Sequence, residues 1–138
     1  MTPEELAKYR AEKLEMERKE DEEKKRLHND EQAQRAAADS EMIEAVKDKM
    51  LPYLEKVKTA MGGALTVSIT RDTENTISSI DLSLDGRAAM IRRYGSHLQV
   101  NIKQRRPPYD VVPYSGLRHA SDISEENLGL FIKALIDT

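Results

Sequence analysis

The chain has 138 residues and no cysteine, which excludes a disulfide framework, a thiolate metal site and a cysteine nucleophile. Its 22 basic and 25 acidic side chains leave a net charge of −3, too balanced to single out nucleic acid or a membrane surface as a partner. No apolar run approaches the ~18 residues of a membrane span, and the charged start from Glu4 onward lacks an apolar signal core, so the expected compartment is the cytoplasm.

Residues 1–39 are compositionally apart from the rest: nine are basic and twelve acidic, and every glycine lies beyond residue 61. Thr2-Pro3-Glu4-Glu5 has the form of a capping box with proline in the first helical turn. Acids precede bases by four residues at Glu4/Lys8, Glu15/Lys19, Glu20/Lys24, Asp21/Lys25, Glu22/Arg26 and Glu31/Arg35, the favourable order on a helix. This predicts a polar helix from Pro3 to about Ala38, roughly 50 Å long at ~1.5 Å per residue. A coiled-coil seam through Leu6, Tyr9, Lys13, Met16, Glu20, Glu23 and Leu27 holds three charges, whereas a regular seam is apolar. Two readings follow, a solvated fraying helix or a helix that pairs with a partner.

A second, amphipathic helix is expected next. Ile43, Val46, Met50, Tyr53, Val57 and Ala60 follow a 3-4 spacing, widened by Leu54, and Asp39 or Ser40 is placed to cap it. Pro52 predicts a kink or a restart around Met50, and Gly62-Gly63 an end. Beyond Ala64 the period becomes two. Leu65, Val67 and Ile69 alternate with Thr66, Ser68 and Thr70, and Ile80, Leu82 and Leu84 with Ser79, Asp81 and Ser83. Asp85-Gly86 is a hairpin signal, Arg87–Tyr94 a third strand, and Gly95-Ser96 a further turn before Leu98, Val100 and Ile102. After Pro107-Pro108, the stretch from Tyr109 to Tyr114 fits only an edge strand. Asp122-Ile123-Ser124-Glu125 reads as a capping box, with Ser124 as the rival cap, for a last helix whose stripe is Leu128, Phe131, Ile132, Leu135 and Ile136.

These elements make an α+β chain: a long polar N-terminal helix (1–39) and a compact two-layer domain (40–138). In the domain an amphipathic helix and a C-terminal helix pack on one face of a four- to five-stranded antiparallel meander. The other sheet face would present Thr66, Ser68, Thr70, Ser79, Asp81, Ser83, His97, Gln99, Asn101 and Lys103.

Catalytic spacings are missing. There is no phosphate loop and no nucleophile elbow, and His28, His97 and His119 lack metal-ligand spacing. Asp81 and Asp85 share a strand face, but Asp85 belongs to the turn. No catalytic residue, metal or cofactor is therefore assigned. The expected function is that of a non-enzymatic interaction protein whose helical arm engages a protein partner or a second copy through Leu6, Tyr9, Leu14 and Met16. The alternative is a nucleic-acid or polyanion binding module built on residues 86–120, which hold seven arginines and lysines against the single acid Asp110. There Arg92, Arg93, Lys103, Arg105, Arg106 and Arg118 would contact phosphate and Tyr109 or Tyr94 would stack. Solvated charges beside a Pro-Pro turn account for the same composition without a ligand.

Overall fold

A computed structural model describes all residues from Met1 to Thr138. The chain divides into two units, Met1–Ala36 and Ala37–Thr138. No helix is long and apolar enough to cross a membrane.

Helix α1 runs over Pro3–Ala45. Its start is the expected capping box: the Glu5 N–H donates to Thr2 Oγ1 (3.2 Å) and the Thr2 N–H to Glu5 Oε2 (3.4 Å). Neither Asp39 nor Ser40 caps a new helix; both lie inside α1. The interior penalty of Asp or Ser is below ~1 kcal/mol, and strong helix formers flank them in Ala36-Ala37-Ala38 and Glu41-Met42. Breaking the helix there would orphan several backbone groups for no gain.

Pro52 is accommodated without a break. A π-helical turn, Val46–Met50, lets the Leu51 N–H donate to the Val46 carbonyl, and α2 (Leu51–Ala60) then begins with Pro52 in its first turn, where an N–H is dispensable. The turn also shifts the buried face. Met42, Val46, Met50 and Leu54 are buried, each four residues from the last, whereas Ile43 and Tyr53 are half-buried and Ala60 is exposed. In an uninterrupted α-helix a row of fours drifts by ~40° per step. One widened turn reverses part of that drift and returns the row to the sheet.

The sheet has five strands in the order β1 (Leu65–Thr73), β2 (Thr76–Leu84), β3 (Arg87–Tyr94), β4 (His97–Lys103) and β5 (Val111–Tyr114), each antiparallel to its neighbour. The Asp85-Gly86 turn has both residues at positive φ (51° and 79°), as a two-residue hairpin between right-twisted strands requires. A row of Ile69, Ile80, Ile91, Val100 and Tyr114 crosses all five strands on the helix-covered face. Ser68, Asp81, Met90, Asn101 and Pro113 make the adjacent row on the other face.

Two irregularities interrupt the β1–β2 ladder, one at Ser78 and one at Asp72. Thr70 faces Ser79 but Arg71 faces Ile77, so Ser78 is an extra residue in β2. Its hydroxyl donates to the Thr70 carbonyl (3.1 Å). The bulge turns Ile77 onto the core side, where it is buried together with Ile80.

In the helical layer α2 meets β1, the π turn meets β2, and α3 (Glu125–Ile136) meets β3. Ser124 is the cap of α3, accepting from the Asn127 N–H (3.2 Å), so the box starting at Asp122 does not form. Leu128, Phe131, Ile132 and Leu135 are buried. Ile136, included in the expected stripe, is exposed, one position round the helix from Leu135. Leu117 and Ile123 of the connecting segment complete the core.

Asp122 has a different task. Its Oδ2 accepts the His119 N–H (2.9 Å) and the Arg118 N–H (3.0 Å), and these two donors, His119 first, hold its carboxyl below the ordinary aspartate range. A carboxylate with a depressed folded pKa stabilises the fold above its unfolded pKa. That stabilisation is lost as pH falls through the depressed value. Asp122→Asn should therefore lower Tm at pH 7 and flatten its decline on acidification below the ordinary aspartate pKa, read from thermal melts over that acid range. Parallel curves for the two proteins would show that the carboxylate charge has no share in the acid response.

Candidate interaction surfaces

In the first unit every residue from Met1 to Ala36 is exposed. Ion pairs tie its surface together, but not those the i, i+4 spacing predicts. Arg18 bridges Glu15 and Glu22, and Arg26 meets Glu23. The arginine fork reaches two carboxylates from one position, which a lysine head does less well. The Arg18 guanidinium, by hydrogen bond and charge, pulls the Glu15 carboxyl below its usual range. Exposed pairs of this kind add little to stability.

Leu6, Tyr9, Leu14 and Met16 are all exposed, between 48% and 63%. At ~100° per residue, Leu6, Tyr9, Met16 and Leu27 fall within a face of about 80°, whereas Leu14 lies about 80–160° away from each of them. The helix thus groups three of the four expected partner-binding residues, adds Leu27, and sets Leu14 apart.

In the second unit the basic stretch does not form one surface. Arg92 lies on the open sheet face and donates to Asp81 Oδ1 (2.9 Å). Arg93 faces the opposite way, its side chain only 13% exposed. It donates from Nε to the Ile77 carbonyl (3.3 Å) and from Nη1 to the Gly95 carbonyl (3.1 Å), with Asp72 3.6 Å from Nη2. Lys103 ends β4, and Arg105, Arg106 and Tyr109 follow it in the exposed connection to β5. Arg118 sits at the other end of β4, where its carbonyl accepts the Leu98 N–H. Five residues of strand, roughly 17 Å, separate the two ends. Lys103, Arg105, Arg106 and Tyr109 are therefore neighbours along the chain, and Arg92, Arg93 and Arg118 are not part of that group.

The open face carries one depression of about 390 Å³, bordered by Thr66, Ser68, Asp81, Ala88, Met90 and Lys103. Ala88 and Met90 give it an apolar floor that the alternation of the neighbouring strands did not reveal, because β3 has few large apolar residues on either face. A groove of about 380 Å³ lies between residues 48–56 and 123–125 and is bridged by Lys56 and Glu125 at 4.0 Å. No group of three or more His, Asp and Glu side chains assembles as a metal-binding cluster. No family model, no curated protein and no solved structure matches the chain.

Proposed function

We propose that the protein acts by binding another protein, without chemistry of its own, and that the helix of the first unit makes the contact. The observation that carries this reading is the set Leu6, Tyr9, Met16 and Leu27, four large apolar side chains on one face of a helix stretch that is exposed throughout. Parallel self-pairing along that face would set Lys13, Glu20 and Glu23 each against its own copy, which like charges disfavour. A partner helix with apolar residues opposite the four side chains and opposite charges between them fits better. Polyanion binding is less supported, because Arg92 is paired with Asp81 and Arg93 is directed into the fold.

The test is affinity capture with the full chain. The triple variant Leu6→Asp, Tyr9→Asp, Met16→Asp should weaken the retained partner at least ~10-fold, as expected when apolar anchors are lost. Leu14→Asp, off the face, should leave capture unchanged. Equal loss from both variants would reject the face, and full retention by the triple variant would reject the helix as the contact.

A further inference from the structure

The two edges of the sheet are not equivalent. β5 is four residues long and contains Pro113, so its edge is short and lacks a donor. β1 is nine residues long and, from Leu65 to Thr70, holds neither proline nor charge. In a chain with 34% charged residues, such a bare edge lacks the usual protection against pairing with another strand.

The direction of its backbone groups follows from the neighbouring hairpin. A two-residue turn closes on Leu84 and Arg87, which exchange hydrogen bonds with each other. Leu84 therefore faces β3, and its partner across to β1, Leu65, forms a non-hydrogen-bonded pair with it. By alternation Leu65, Val67 and Ile69 aim their N–H and C=O groups away from β2, and they take no part in the backbone hydrogen bonds made outside the ladders. The side chains of Val67 and Ile69 are only half-buried at this border of the core, as are Val57 and Met61.

We propose that a second copy of the chain occupies this edge, with two β1 strands pairing antiparallel about Val67 to give one ten-stranded sheet. In that register Val67 meets Val67, Leu65 meets Ile69 and Thr66 meets Ser68, so all three outward-facing residues of each strand are paired. Arg71 and Asp72 fall opposite Gly63 and Gly62, and no like charges are brought together. An uncharged strand of alternating β-branched and small hydroxyl residues is its own best complement, which favours a second copy over a charged segment. Because β5 offers no equivalent edge, the pairing closes at two copies and does not propagate.

Sedimentation velocity of the full chain tests this. The wild type should be dimeric at tens of micromolar. Thr66→Lys with Ser68→Lys, both at exposed positions, puts like charges opposite across the two-fold axis and should raise the dissociation constant ~10-fold or more. Thr66→Glu with Ser68→Lys makes the same pairs complementary and should restore the dimer. A monomeric wild type, an unaffected lysine variant, or no rescue by the charge-matched variant overturns the proposal. As a check that needs no variant, amide exchange at Val67 and Ile69 should slow as wild-type concentration rises. Rates independent of concentration overturn it equally.

Discussion

Phe131→Ala should destabilise the fold by about 3–5 kcal/mol, measured as the shift in the urea unfolding midpoint. Phe131 is the only phenylalanine in a chain without tryptophan, and it is fully buried. Its ring lies 5.2 Å from that of Tyr114, tilted by 51°, and so ties α3 to the edge strand β5. Burial pushes the Tyr114 hydroxyl above its ordinary pKa, consistent with a ring held in the core border. Tyr114 in turn packs against Gly116, where a Cβ would stand 2.8 Å from the Tyr114 hydroxyl oxygen. Removing the phenyl ring leaves a cavity that neither the strand nor the helix can close without losing other contacts. Total stabilities of about 5–15 kcal/mol make this a fifth or more of what a small domain has. Leu130→Ala, at a neighbouring but 53% exposed position, should change stability by less than about 0.5 kcal/mol. Similar midpoints for the two variants would contradict the packing of α3 on the sheet.

Arg93→Ala should be the costliest change of a charged residue, about 2 kcal/mol. The guanidinium spans two carbonyls, of Ile77 on the neighbouring β2 and of Gly95 in the turn after β3. The Ile77 carbonyl lies next to the Ser78 bulge, where the regular ladder is interrupted. Alanine would leave both acceptors less satisfied and remove the aliphatic stem that packs beside Leu98 and Ile91. Arg93→Lys should recover only about half, because an ammonium does not reproduce the fork. Asp72→Asn should cost little, since the Asp72 side chain is 58% exposed. Urea midpoints rank the three variants, and amide exchange at Thr76–Ser79 reports whether the loss is centred on the bulge. An Asp72→Asn effect as large as that of Arg93→Ala would mean that the ion pair, not the carbonyl bridge, is what holds the residue.

The strands and their order were readable because alternation and turn chemistry agree: Leu65-Thr66-Val67-Ser68-Ile69, Asp85-Gly86 and Gly95-Ser96 all point to one meander. What escaped was the form of each change of period within an element, although Pro52 marked the place of the one in the helix. The three-residue step from Ile77 to Ile80 is out of phase with a strand, and only the bulge at Ser78 reconciles it. The step of four from Met42 to Leu54 is out of phase with an α-helix, and only the π turn reconciles it. Such defects shift which residues face the core by one position, so Ile43 was expected where Met42 is found, while Val46 and Met50 face the core as expected. The basic stretch was legible as composition but not as a surface. Successive residues of a strand point to opposite faces, which parts Arg92 from Arg93, and the length of β4 parts Lys103 from Arg118. For the helical arm the heptad arithmetic was already in the residues, and it sets Leu14 aside once the helix is known to be regular from Pro3 onward.

The meander has a consequence for how the molecule assembles. Three of its four connections are two residues long, Glu74-Asn75, Asp85-Gly86 and Gly95-Ser96, so most of the sheet forms through contacts close in sequence. Loop closure of that kind carries little entropy and permits fast zipping from the central hairpins outward. The helices that cover the sheet come from opposite ends of this region, one made before β1 and the other after β5. During synthesis the apolar row Met42, Val46, Met50 and Leu54 emerges first and has no surface to cover until β2 and β3 have paired. Its final lid, α3, is the last segment made. The thirty-six residues of the first unit, made before that row, are strongly charged and exposed throughout, so they add little apolar surface to the chain that waits for the sheet.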